Sequence, residues 1–413
     1  MRPECRTYGI RRPKFMLIEC LTTIEQFDSL LEQWRELEKA SPDTSIFMTW
    51  DWQRLWWKHY GTGRELRILL AKEEGKTIGI FPLYQETHWL RGLWRVRKLR
   101  QIGAGGDTAP DDLNPMLLDG SRDSVAKAFA DHIIDEIAGW DLLDLVDLQP
   151  DAPFTKALIC AYKNRPSMLN VGEPSSITYG KLPATWDEFL ANLGYHRRAA
   201  LRRLRRKFEQ QTGSTFIVWA DPSEIDAAFE RLASLHRLRW EGRTDHPSFN
   251  SPQYLGFHRE LMHALLALGR LRLAELQIGG RSIAMLYGYR LGNTFYYFQS
   301  GFDPSMAAWS PGELVVGYSI QQAIEEGCEI FDMLKGDYHH KRHYLRLTRN
   351  TVWVRAYRRR PTAALYRLKA WLTSVSLGIR RKGKRPYSDQ RDGTDKLPSS
   401  HQSGKVMPSC LTV

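Results

Sequence analysis

A chain of 413 residues exceeds one ordinary core, so two compact domains with tails is the expectation that length sets. Hydrophobic residues at 42% and charged residues at 26% exclude disorder along the whole chain, and 59 Lys and Arg against 47 Asp and Glu leave a formal charge of +12. That charge favours anionic partners: nucleic acid, anionic lipid, phosphorylated cofactors or acidic polysaccharide. Cys5, Cys20, Cys160, Cys328 and Cys410 are scattered and form no Cys-x-x-Cys pair, which suggests neither a disulfide framework nor a zinc site, and no metal is expected. With no apolar run of ~20 residues and no N-terminal signal-type core, the chain reads as cytoplasmic.

In chain order, helical spacing is read over 24–39 and 51–60. Residues 66–84 (LRILLAKEEGKTIGIFPLY) then alternate apolar side chains on either side of Gly75, the pattern of a β-hairpin. A basic stretch, 89–106, has the size of a loop insertion. Val125, Phe129, Ile133, Ile134 and Ile137 fall on one helical face, and the stop at Gly139 leads into the buried strand GWDLLDLV. Residues 164–176, broken by Pro166, Gly172 and Pro174, read as a linker.

The same order then returns. Helices are read over 186–211, 224–240 and 252–268, followed by a second hairpin at 271–289 (LRLAELQIGGRSIAMLYGY) that aligns with 66–84 without a gap. A helix over 312–326 ends at Gly327 and feeds GCEIFDML, which aligns with 139–146 through Gly327 on Gly139 and Asp332 on Asp144. A hairpin, a helix and a further strand, present twice, describe a duplicated mixed α/β unit rather than a solenoid, which needs three or more copies. The domains expected are 15–165, 175–357, a basic amphipathic helix at 358–382 and a disordered tail at 383–413.

Four segments carry candidate chemistry. Residues 294–313 run from an aromatic strand into a helix start at Ser310-Pro311-Gly312, where unpaired N–H groups and the helix dipole favour an anion, with Gly312 permitting close approach beside a capping Ser310 hydroxyl. The same three residues also read as an ordinary helix cap, the commoner use. Residues 331–344 (FDMLKGDYHHKRHY) gather Asp332, Asp337, His339, His340 and Tyr344 as acid–base candidates and Lys341 and Arg342 as anion binders, or else form a solvated loop. Residues 195–208 place seven basic side chains around Leu201, Leu204 and Phe208, a face for phosphates, for an anionic glycan or for water alone. No base-reading motif accompanies it, so DNA is not expected. Residues 361–379 form a basic, Trp371-bearing amphipathic face suited to an anionic membrane surface or to packing on the second lobe.

The ordered set TWDWQRLWWKHYG, IGIFPLY, LRQIGAGGDTAPDDLNPML, WDEFLANLGYHRRAALRRLRRKFEQQ, LASLHRLRWEGR, FQSGFDP, SPG and FDMLKGDYHHKRHY resembles the CelD-like acetyltransferases of bacterial polysaccharide clusters, relatives of the Fem-type aminoacyltransferases of peptidoglycan. The resemblance implies a tandem duplicated GNAT fold, each lobe a mixed, mostly antiparallel sheet flanked by helices. It also implies acetyl-CoA or another acyl-CoA as donor, and a small or glycan-linked amine acceptor in polysaccharide or cell-envelope synthesis. Asp337 is the first candidate base, His339 its competitor and Tyr344 the candidate acid. Gln299, Ser300, Ser310, Pro311, Gly312 and Lys341 are the expected donor-binding residues, and Arg239, Trp240, Asp332 and Tyr338 the expected acceptor-binding ones. Lys335, His340 and Tyr344 depart from the Arg, Tyr and Trp common in the family. In the first copy Gly120-Ser121-Arg122 replaces Ser-Pro-Gly, so that lobe is expected to be structural or to bind acceptor. Two further readings stand beside the acyl-CoA one: a Fem-like transferase drawing on aminoacyl-tRNA, and a non-catalytic partner of polysaccharide-synthesis proteins on the inner face of the cytoplasmic membrane.

Overall fold

A computed structural model describes residues 16–41, 44–90, 92–164, 166–241, 248–335 and 344–358. The first half runs β1 (Met16–Leu21), α1 (Ile24–Asp28), α2 (Leu31–Ala40), α3 (Trp50–Tyr60), β2 (Arg64–Glu73), β3 (Lys76–Leu90), β4 (Trp94–Gln101), β5 (Met116–Leu117), α4 (Arg122–Asp135), β6 (Leu142–Leu148), α5 (Pro153–Ala161), β7 (Leu169–Val171) and β8 (Ser175–Lys181). The second runs α6 (Trp186–Asn192), α7 (Tyr195–Glu209), β9 (Ser214–Val218), α8 (Ile225–Trp240), α9 (Pro252–Ala267), β10 (Leu271–Ile278), β11 (Arg281–Leu291), β12 (Thr294–Phe302), α10 (Pro311–Glu325), β13 (Ile330–Lys335) and β14 (Leu347–Tyr357).

Both hairpins form where the alternation puts them, β2 on β3 and β10 on β11, and the turns use positive φ at Gly75 and Gly280. The helix expected over 24–39 is two. A Thr23–Gln26 capping box opens α1, and the Ser29 hydroxyl donates to the Gln26 carbonyl (2.8 Å) at its end, before α2 starts. The helix expected over 186–211 also divides, because buried Leu193 is extended and Gly194 starts α7 afresh. The basic stretch 89–106 is not a plain loop: β4 forms its middle, paired along β3 from Leu90↔Trp94 to Leu83↔Gln101. Nor is 164–176 a plain linker, since β7 pairs with β14 and β8 begins within it.

All the main strands share one sheet, in the order β1-β2-β3-β4-β6-β14-β8-β13-β12-β11-β10-β9. Among the described residues only β4 with β6 and β12 with β13 run parallel; the remaining pairs are antiparallel. The halves exchange strands. β8 follows the first half yet pairs with β13, whereas β14 follows the second and pairs with β6, and β8 and β14 then pair with each other at the centre.

Each half has its own core, Phe81, Phe129 and Trp140 in the first and Leu286, Phe295 and Leu314 in the second. A third core joins them: Trp52 of α3 meets Phe257 of α9 edge-on at 5.1 Å and Tyr289 of β11 at 6.0 Å. Among the described residues no helix is long and apolar enough to cross a membrane.

Candidate functional site

The site is a wedge opened by diverging strands. β12 and β13 pair from Thr294↔Ile330 to Tyr296↔Asp332 and then separate, β13 staying on β8 from Ile330↔Lys181 to Lys335↔Ile177 while β12 stays on β11 as far as Ala284↔Phe302. A bulge between Tyr287 and Gly288 shifts the β12 register, so that Tyr297 and Ser300 face into the gap and Phe298 packs on the other face against Trp52 and His258. The resulting cavity is about 380 Å³, and Met333 of β13 forms its far wall.

The start of α10 closes one end. Ser310 sits in the left-handed region (φ 44°), and its carbonyl accepts the N–H groups of Glu313 (3.0 Å) and Leu314 (3.1 Å). Its hydroxyl makes no capping bond, contrary to the sequence expectation, because side-chain capping needs an extended N-cap residue. Pro311 brings no N–H, so Gly312 supplies the first-turn amide outside the helix ladder. A Cβ on Gly312 would stand 3.4 Å from Phe302, an ordinary contact, so the space ahead of this amide is open.

Two polar groups furnish the interior. Arg239, at the end of α8, donates to the Ser300 hydroxyl (2.9 Å), which also lies 2.6 Å from the Tyr297 hydroxyl, and its guanidinium lies over Phe302 at 5.1 Å. Tyr344 enters from the opposite wall, 7% exposed, with no partner for its hydroxyl among the described residues. Burial, reinforced by the Glu313 carboxylate, raises its pKa above that of an ordinary tyrosine, so the phenol is a neutral proton holder; Glu313 itself is paired with Arg197 at 2.5 Å.

Residues 196–342 match the family model described as Acetyltransferase (GNAT) domain. That span contains β12, β13, the α10 start and Arg239, and Tyr344 lies just beyond it. The crystal structure of FemX superposes with a TM-score of 0.57 at 11% identity, over 85% of this chain and 99% of that one. A conserved protein of unknown function from Bacteroides thetaiotaomicron superposes at 0.50 with 13% identity, over 83% and 100%. A search of curated proteins found no match. The fold is therefore mixed α/β, as the repeat implied, and tandem GNAT-like, as the family resemblance implied, with the matched GNAT domain in the second half.

Of the residues expected from sequence, Ser300, Ser310, Pro311, Gly312, Arg239 and Tyr344 meet in one cavity. Three expected residues lie elsewhere. Gln299 is beside the Tyr254 phenol, away from the wedge. Trp240 carries the Arg239 guanidinium at 5.4 Å instead of forming the wall. Asp332 turns its back on the wedge, accepting the Leu334 N–H (2.7 Å) and the Arg349 guanidinium (2.6 Å). Asp337, Tyr338, His339, His340, Lys341 and Arg342 lie outside the described residues, as does the amphipathic segment 361–379. Sequence reasoning missed Tyr297 and Met333, whose signal was their place on strands that part.

The first half has the same parallel pair. β4 and β6 pair at Lys98↔Leu142 and Leu99↔Leu143, but the Gln101 side chain bridges the gap beyond, donating to the Val146 carbonyl (2.9 Å) and accepting the Val146 N–H (3.0 Å). On α7, Arg205 turns inward over the Tyr318 ring at 4.1 Å, while Arg202, Arg203 and Arg206 remain exposed.

Proposed function

We propose that this protein is an acyl-CoA-dependent N-acyltransferase, acting with acetyl-CoA or a longer acyl-CoA on an amine or sugar-linked acceptor in bacterial polysaccharide or cell-envelope synthesis. The observation that carries the reading is one cavity presenting an open main-chain amide at Gly312 and a neutral phenol at Tyr344 that has no partner among the described residues. The GNAT match supports the acyl-transfer class, and the ordered resemblance to CelD-like enzymes supports the acceptor class.

The residues present fit such a donor. The α10 start and Gly312 would hold its negatively charged linkage, and Phe302, Val316 and Met333 would pack on its apolar arm. When bound, the donor supplies an activated thioester. Arg239 fixes the Ser300 hydroxyl in the wall, and Tyr344 Oη holds a proton inside the cavity where a leaving sulfur would need one. Asp337 and His339 are proposed to accept the amine proton. Held side by side, acceptor and donor would react directly, without a covalent protein intermediate.

Titration calorimetry with acetyl-CoA and with longer acyl-CoAs tests this. Saturable binding of at least one is expected, and binding of none by folded protein overturns the reading. A second reading, an aminoacyl-tRNA donor, is favoured by the exposed guanidiniums of Arg202, Arg203 and Arg206 on α7. It requires tRNA binding that weakens steeply with salt, and binding insensitive to salt rejects it.

A further inference from the structure

The β3–β4 hairpin reaches past both strands that flank it. Among the described residues β2 accompanies β3 only from Glu73↔Lys76 to Arg64↔Glu86, and β6 meets β4 only at Lys98↔Leu142 and Leu99↔Leu143. From Thr87↔Arg97 to Leu90↔Trp94 the two strands therefore pair with each other alone, as a ribbon about four residues, or ~13 Å, long. The matching hairpin of the second half has no such ribbon. There β11 and β12 turn at Gly292 and Asn293, and Thr294, the first residue of β12, is already paired with Ile330 of β13.

The tip of the ribbon is apolar and basic. Trp89, Leu93 and Trp94 are 57%, 77% and 48% exposed, the densest run of exposed large apolar side chains among the described residues. Pairing of Trp89 with Arg95 and of Leu90 with Trp94 puts the two indoles on opposite faces, because residues opposite one another share a face and neighbours alternate. From Thr87 to Val96 the chain has two arginines, Arg91 and Arg95, and no acidic residue. Arg95 is exposed and has no ion-pair partner among the described residues. At the base of the ribbon Glu86 is held by Arg64 (3.1 Å) and Arg100 (3.2 Å), and Asp141 by Arg97 (3.9 Å), so neither carboxylate is left to offset the tip.

We propose that this tip docks on an anionic lipid bilayer, its two indoles and Leu93 entering the interface and Arg95 meeting lipid phosphates. The fold does not need these side chains, since the second half builds the same hairpin without a ribbon. Size and shape favour a bilayer over a protein. A specific protein partner takes about 20 or more residues a side, whereas a ribbon end offers three apolar ones, on both of its faces. A bilayer surrounds an inserted tip and so receives both faces at once. Trp suits its interface because the ring is apolar and the N–H polar, and an arginine stem lies along acyl chains while its head stays with phosphate. The docking does not depend on the acyl-transfer reading.

Co-sedimentation of the full chain with vesicles of phosphatidylcholine alone, and of phosphatidylcholine mixed with phosphatidylglycerol, tests the proposal. The mixed vesicles should bind the protein, and phosphatidylcholine alone should bind it at least about tenfold more weakly. Leu93→Ser/Trp94→Ser should lower binding to mixed vesicles at least about tenfold, and Arg95→Glu about tenfold. Both should unfold in urea near the wild-type midpoint, because the substituted side chains are exposed. No binding to mixed vesicles, equal binding to the two kinds, or wild-type binding by both folded variants overturns the proposal. The basic segment beyond residue 358 is present in every one of these proteins, so binding carried by that segment alone would give the last of those results.

Discussion

Gly312 and Tyr344 divide the proposed chemistry between them, and each can be removed separately. A methyl at Gly312 fits, with Phe302 3.4 Å away, but the second and third carbons of a valine would enter the space ahead of the helix amide. Gly312→Val should therefore weaken acetyl-CoA binding about tenfold or more in calorimetry, whereas Gly312→Ala should stay near wild type, since only the branched side chain competes for the anion's place. Tyr344→Phe keeps the ring and loses only a hydroxyl with no partner among the described residues, so stability should hold or rise slightly and donor binding should persist. Turnover should fall roughly a hundredfold, the usual worth of a general acid. Since Tyr344 has its pKa raised, by burial first, the wild-type rate should show no loss of this acid below about pH 10. A Tyr344→Phe enzyme with full turnover would remove the residue from the mechanism.

The two parallel strand pairs show how one duplicated element can serve two ends. β12 and β13 part and leave a cavity; β4 and β6 part and are bridged by the Gln101 amide, which is wholly buried. Gln101→Leu would leave the Val146 N–H and carbonyl unpaired inside the sheet, so it should cost about 3 kcal/mol in urea unfolding without changing donor affinity. The hairpins and the α10 helix were legible because their periods of 2 and 3.6 are written locally and Gly75 and Gly280 mark the turns. β4 was not, because Arg95, Arg97, Lys98 and Arg100 crowd Val96 and Leu99 and make the strand read as a basic surface run. Helix breaks at Ser29 and Gly194 depend on capping details that a hydrophobic stripe passes over. Of the wedge, Ser310 to Gly312 could be found from the helix-start pattern. The inward turn of Tyr297 depends on a bulge, and the outward turn of Asp332 on a left-handed Leu334, neither of which has a sequence signature.

At the scale of the whole molecule, exchange of β8 and β14 and the aromatic core shared by α3, α9 and β11 tie the halves together, which predicts one cooperative unfolding transition. The carboxylate cluster at that junction makes this transition depend on pH. Burial first, then the charges of Asp147 and Asp112, push the Asp111 carboxyl from its ordinary value up to about 8. The folded state thus holds a proton that the unfolded chain releases near pH 4, so the contribution of Asp111 is complete below about pH 4 and is lost as pH rises through about 8. Asp112 is also raised by burial, against the pull of Arg349, and adds to the same trend. Asp111→Asn keeps an oxygen to accept the Lys335 N–H and removes the titration. Unfolding in urea at about pH 5, 7 and 9 should then show wild-type stability falling with pH and the variant falling less, with the gap between them widening by a few kcal/mol across the range. Parallel curves for the two proteins would mean that Asp111 does not hold its proton in the folded state.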